Sequence, residues 1–155
     1  MHSQFAKTIK QLHPAFKKLV VMKPCKPLFL PDSMPTAGIY LFSENGRHLY
    51  VGRSNKIRKQ LSNHCRPSAT HKMAAFAFRL AREATGKLKA TYKKYGSRDD
   101  LMLGAAFAQA FKMAKARIRK MDVRCVEEKD PVRQTILKIY VAVALQTPYN
   151  DFNTT

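Results

Sequence analysis

Two tyrosines on either side of a tight turn are the first residues in this chain with the means to do chemistry. Tyr40 ends the string Gly38-Ile39-Tyr40, and Tyr50 opens Tyr50-Val51-Gly52 ten residues later. The runs Gly38 to Phe42 and His48 to Gly52 are β-prone and are separated by Ser43-Glu44-Asn45-Gly46-Arg47. Two hairpin registers compete. A two-residue Asn45-Gly46 loop sets Tyr40 against Val51 and mixes apolar and polar side chains on both faces. A three-residue loop, a type I turn with Gly46 left-handed, sets Tyr40 against Tyr50. The second register puts Ile39, Leu41, Leu49 and Val51 on one face and Tyr40, Phe42, His48 and Tyr50 on the other. Because a one-residue slip exchanges the faces, this segregation selects it. One face is then core, and the other is a row of polar-tipped aromatics flanked by two glycines, which suggests a site.

Helices must hold that hairpin in place. Ser54 or Asn55 can cap a short helix to about Asn63, with Ile57 and Leu61 facing the core and Gln60 and His64 on a neighbouring stripe. Thr70 to Thr85 reads as a second helix, with Phe76 and Leu80 inward and Gly86 ending it. Residues 87–98 are a basic run in which Lys87, Lys89, Lys93, Lys94 and Arg98 are interleaved with Tyr92 and Tyr95. That mixture suits phosphate contacts with occasional stacking, and equally a solvated connector. Ser97, with Asp100 three residues on, opens a helix through about Lys120. Met121 to Glu127 alternates as a third strand. Asp130 as cap and Pro131 at the first helical position open the last helix, to about Gln146. Near the start, Phe5, Ile9, Leu12, Phe16 and Leu19 make one apolar stripe, and Pro14 inside it predicts a kink or two shorter helices. Pro24, Pro27, Pro31 and Pro35 mark a linker between this arm and the hairpin.

Charge narrows the partners. The 155 residues carry 29 Lys plus Arg against 10 Asp plus Glu, a net +19, while 45% are apolar, so this is a folding sequence and not a disordered basic tail. Such an excess repels itself in the compact state and is most simply explained by a polyanionic partner, nucleic acid. No apolar run approaches the roughly 18 residues that span a bilayer, and no signal-peptide pattern opens the chain, so a membrane is not expected. Cys25, Cys65 and Cys125 are odd in number and widely spaced, which predicts reduced cysteines in an intracellular, cytoplasmic protein. The grouping of His64, Cys65 and His71 matches no common metal spacing.

Gly38-Ile39-Tyr40 followed by Tyr50-Val51-Gly52 resembles the signature of the GIY-YIG nucleases, and Thr147-Pro148-Tyr149-Asn150-Asp151-Phe152 is similar to that family's closing segment. The resemblance runs from about Gly38 to Phe152, with residues 65–120 as a helical insertion. It implies an α+β fold: a small three-stranded antiparallel sheet with flanking helices, preceded by an arm and linker over residues 1–35. It also implies a phosphodiester-cleaving site that uses Mg2+ or Mn2+ in active members. On the family pattern Tyr40 and Tyr50 lie near the attacking water and scissile phosphate, and Arg53 falls where a basic residue is frequent. His64 matches the histidine of the restriction-enzyme-like branch, and Asn150 matches the terminal asparagine that orients the site.

Two positions depart. Ten residues past Tyr50, where the family carries a phosphate-clamping arginine, stands Gln60. Twelve residues before Asn150, in place of a metal-binding glutamate, stands Lys138. Magnesium needs oxygen ligands, usually a carboxylate, and an ammonium repels it. Loss of one preorganised charged group costs on the order of 10²–10³ in rate. The expectation is therefore a nucleic-acid-binding pseudo-enzyme, more suited to duplex DNA, with no metal cofactor. Lys138 interrupts an otherwise apolar run over residues 136–145. Its head either snorkels to solvent or stands where the metal would be and pairs with a phosphate. Two alternatives remain open: metal-free cleavage through Tyr50, His64 and Lys138, and an RNA-associated or protein-interaction role.

Overall fold

The chain turns back on itself through Asn45 and Gly46, which both take left-handed backbone conformations, φ 52° and 76°. This is the two-residue loop, and it pairs Glu44 with Arg47 and Ser43 with His48. Left uncorrected, that register would mix the two faces. Instead β2 (Arg47–Ser54) bulges at Leu49 against β1 (Gly38–Glu44), so that Phe42 pairs with Tyr50, Leu41 with Val51 and Tyr40 with Gly52. The expected pairing of Tyr40 with Tyr50 is thus corrected by two positions. Asn-Gly favours the tight turn, and the extra residue of a bulge restores the segregation of faces that the turn alone would lose. Ile39, Leu41 and Val51 share one face, and Tyr40, Phe42 and Tyr50 the other.

The computed structural model describes residues 1–87 and 96–152. Its further elements are α1 (Ser3–Val21), α2 (Ile57–Cys65), α3 (Ala75–Thr85), α4 (Arg98–Leu103), α5 (Ala105–Arg119), β3 (Asp122–Glu127) and α6 (Pro131–Leu145). The fold is α+β, with a three-stranded antiparallel sheet in the order β2-β1-β3. No helix among the described residues is long and apolar enough to cross a membrane. The chain forms two compact units, Met1–Gln60 with Met121–Thr155, and Leu61–Lys120.

In the first unit α1 and α6 cover the Ile39 face of the sheet. Leu12 and Leu19 from α1 and Leu137 and Val141 from α6 are buried with Ile39, Leu41, Val51 and Val126. Helix α1 is one helix and not two shorter ones: Pro14 lies on its exposed side, where solvent can take the carbonyl freed by the missing N–H, and buried Leu12 and Leu19 anchor both flanking turns. The Pro-rich linker is tied down. Cys25 exchanges two backbone hydrogen bonds with Val123 at the outer edge of β3, and Arg58 donates to the carbonyls of Leu30 and Pro31. Asp130 caps α6 through the Arg133 N–H with Pro131 in the first turn.

In the second unit Phe78 of α3 stacks on Phe107 and Phe111 of α5, with centroids 5.1 and 6.5 Å apart. Helix α3 starts five residues later than expected, because Thr70 to Ala74 form a turn that offers no side-chain cap. The helix expected from Ser97 to Lys120 breaks at Gly104, whose ψ of 128° is extended. Glycine's low helix propensity, about 1 kcal/mol worse than alanine, makes that the weakest link in the run.

Both motif glycines are steric requirements. A methyl group on Gly52 would overlap the Tyr40 ring, and one on Gly38 (φ 153°) would overlap the Val126 carbonyl on β3. Replacing Gly52 by Ala should therefore destabilise the protein by about 1–3 kcal/mol, the cost of overpacking. In a double-mutant cycle on denaturant midpoints, Tyr40→Leu should remove most of that penalty. A Gly52→Ala protein as stable as wild type would show that the ring does not rest on the glycine.

Candidate nucleic-acid interface

The sequence points to seven site residues, and the structure divides them among four places. Tyr40 is 2% exposed, on the central strand, with its ring on Gly52. Burial holds its phenol well above the ordinary range, the neighbouring Tyr50 phenol pushes it further, and a hydrogen bond with the Gln60 side chain opposes both. Tyr40, Tyr50 and Gln60 are thus one cluster, with Tyr50 and Gln60 half-buried. A phenol this deep is neither ionised near neutral pH nor open to a substrate. The row expected to be a half-exposed site is, at Tyr40 and Phe42, a second buried face of the sheet.

Arg53 and Lys138 form the second place. Arg53 pairs across the sheet with Ile39, on the face that α6 covers. Lys138 is half-buried on α6, and burial first and Arg53 second hold its ammonium below the usual lysine range. Beneath them lies Gln134, 1% exposed and one turn before Lys138. Its Oε1 accepts from Arg53 Nη1 at 3.5 Å, and its Nε2 donates to Asn55 Oδ1 at 2.8 Å and to the Glu128 carbonyl at 2.6 Å. Gln134 and Asn55 were not among the expected site residues. The signal for Gln134 was available, since it sits four residues before Lys138 on the same helix stripe.

The acids close in sequence to this pair have other partners. Glu128 accepts from Arg133 Nε at 3.1 Å, Asp130 caps α6, and Glu127 lies 3.4 Å from Lys129. The amide oxygens at the site are also engaged, Gln134 Oε1 by Arg53 and Asn55 Oδ1 by Gln134. A divalent ion therefore does not fit here: the side chains that reach the site are two cations and two amides already paired. Among the described residues no group of three or more His, Cys, Asp or Glu could hold a metal ion.

Asn150 occupies the third place, on the outer edge of β2. Its Oδ1 accepts from Val51 N at 2.9 Å and from Thr147 Oγ1 at 2.7 Å, and its Nδ2 donates to Val51 O at 2.8 Å. The asparagine therefore satisfies both backbone groups of Val51 on an edge strand, an arrangement that positions β2.

His64 is the fourth, in the second unit. It is 1% exposed, and burial lowers its pKa to about 4. It is neutral at pH 7 and shut away from solvent, which removes it as a proton carrier to a bound substrate. Of the basic run, Lys87 is exposed, and Arg98 is exposed with its guanidinium 5.3 Å from the Phe78 ring centroid. Lys89, Lys93 and Lys94, with Tyr92 and Tyr95, lie outside the described residues. Comparison with protein-family models, with curated proteins and with solved structures finds no match to this chain.

The buried histidine has a measurable consequence. Its proton affinity falls from an ordinary 6.5 to about 4 on folding, so the unfolded chain binds the proton more tightly. The stability this contributes is complete above pH 6.5 and is lost as pH falls toward 4, by about 3 kcal/mol in all. In urea titrations against pH, His64→Leu should lack this component, and a variant whose stability falls in parallel with wild type would refute it.

Proposed function

We propose that this chain binds nucleic acid, duplex DNA in preference, through phosphate contacts, as a GIY-YIG-like protein that does not cleave. The observation that carries the reading is the Arg53–Lys138 pair: two cations side by side, one exposed and one half-buried, mounted on a buried glutamine. Like charges held together in a folded protein repel each other, and a phosphate laid against them turns that cost into attraction. The excess of 29 basic over 10 acidic residues supports the same partner. Loss of cleavage is supported by the residues that would have to act. Lys138 stands in place of a carboxylate, Gln60 is tied to Tyr40, and neither Tyr40 nor His64 is accessible.

Binding measured by fluorescence anisotropy should weaken with salt, log K falling by about 0.9 per unit of log[salt] for each phosphate neutralised. Arg53→Ala and Lys138→Met should each lower that slope by about one and weaken all DNA sequences alike. Supercoiled plasmid with magnesium should stay intact. Affinity that is flat between about 50 and 200 mM salt, or variants that bind like wild type, would reject the reading. Structured RNA outcompeting duplex DNA would move the partner to RNA, and nicking in excess chelator would restore metal-free cleavage.

A further inference from the structure

The unit of residues 61–120 holds fourteen Lys and Arg against three Asp and Glu, and among its described residues one of those cations is buried. Lys115 on α5 is 6% exposed. Its ammonium donates to the carbonyls of Pro67 and Ala69 at 2.7 and 2.8 Å and lies 4.7 Å from the centre of the Phe111 ring. These are neutral acceptors: they solvate the charge without cancelling it. Arg119, one turn further on, donates to the Cys65 carbonyl at 2.5 Å and adds a second positive charge. The two side chains pin the loop 65–70 onto α5, and both face the same groove.

That groove has a volume of about 490 Å3. Met102, Ala108 and Phe111 give it an apolar floor, while Lys112, Lys115 and Arg119, at successive turns of α5, make one cationic wall. His71 also lines the groove, its Nε2 2.5 Å from Asp99 Oδ1, so that carboxylate is committed to the imidazole. A cationic wall over an apolar floor selects a ligand with an anionic group at one end and a flat apolar body at the other. Small-molecule sites run from about 300 to 1,000 Å3, so the space suits one nucleotide and excludes a duplex.

We infer that this groove binds a single nucleotide, its phosphate against Lys112, Lys115 and Arg119 and its base on the Met102, Ala108 and Phe111 floor. The nucleotide comes either from solution or from an unpaired position in a strand. The second source rests on the nucleic-acid reading above, whereas the first does not. Binding of this kind needs a base that is out of its stack, the condition for recognising single-stranded or extruded nucleotides.

The test uses the full chain and calorimetry with four probes: a nucleoside 5′-monophosphate, the nucleoside, inorganic phosphate and a short single-stranded oligonucleotide. The monophosphate should bind at least about tenfold more tightly than either of its halves, and the oligonucleotide should compete with it. Lys112→Glu, at an exposed position, and Ala108→Trp, which fills the floor, should each weaken the monophosphate about tenfold or more. Duplex affinity of Ala108→Trp should stay within about twofold of wild type. A thermal unfolding profile for each variant keeps misfolding apart from lost binding, and Lys112→Glu decides alone if the tryptophan does not fold. Monophosphate binding no tighter than inorganic phosphate, or unchanged in Lys112→Glu, overturns the inference. Duplex binding without mononucleotide or oligonucleotide binding rejects the groove alone. Tight mononucleotide binding without duplex binding upholds the groove and rejects the earlier reading.

Discussion

The Tyr40 ring lies flat where residue 52 has no side chain, and the geometry of the first unit follows from that contact. For the ring to reach Gly52, Tyr40 must pair with it across β1 and β2. The Asn45-Gly46 turn, however, starts the hairpin one position out of that alignment. The bulge at Leu49 absorbs the difference. Once it has done so, Ile39, Leu41 and Val51 project together toward α1 and α6. Gly38 allows the same close approach on the other side of β1, against the Val126 carbonyl. The central strand is thus fitted to both neighbours by the two glycines of the motif, and their role in this chain is packing before it is chemistry.

A second constraint is charge. A chain with a net +19 must place cations where they do not drive each other apart. Two devices are visible. Surface lysines such as Lys26 pair with an acid, here Asp122 at 2.9 Å. Lys115 and Arg119 are turned inward onto backbone carbonyls, so a loop's unpaired acceptors are satisfied by side chains and not by a ladder. At Arg53 and Lys138 neither device is used: the two cations adjoin, and the amide of Gln134 supports the arginine without neutralising it. Burial and repulsion both lower the Lys138 ammonium's affinity for its proton, yet the residue interrupts a helix stripe where an apolar side chain would pack at no such cost.

Much of the architecture could be read from residue order. The Asp130-Pro131 start of α6, the Ser97 cap of α4, the left-handed Gly86 after α3 and the third strand are local signals with local causes, and they hold in the structure. The misjudged features depend on tertiary contacts. The hairpin register turned on a bulge that the segregation of faces and the Tyr40–Gly52 contact both require. Pro14 did not divide α1 into two helices, because leucines on both sides of it share one core. Gly104 broke a helix whose flanking residues all favour continuing. For the site, the resemblance to the GIY-YIG signature singled out Tyr40, Arg53, Lys138 and Asn150, but a motif cannot say which face of a sheet a residue takes. Tyr40 and Arg53 fall on opposite faces. Gln134, which bonds both Arg53 and Asn55, belongs to no motif, and only its place one turn before Lys138 marks it.

On the proposed reading, the packing also gives a reason for recognition and hydrolysis to separate. Holding a phosphodiester needs positive charge that is fixed and partly desolvated, which on that reading is the part of Arg53 with Lys138. Hydrolysing one needs, in addition, a group that takes a proton and a group that stabilises charge appearing only in the transition state. The Tyr40 phenol is buried on the central strand with its pKa raised, and the imidazole is buried with its pKa lowered to about 4. Each shift arises from burial, the same burial that fills the two cores. Exposing Tyr40 would open the contact that sets the hairpin, and exposing His64 would unpack the last turn of α2. The packing that stabilises the fold and the accessibility that catalysis requires therefore compete for the same side chains, and in this sequence packing has the larger share.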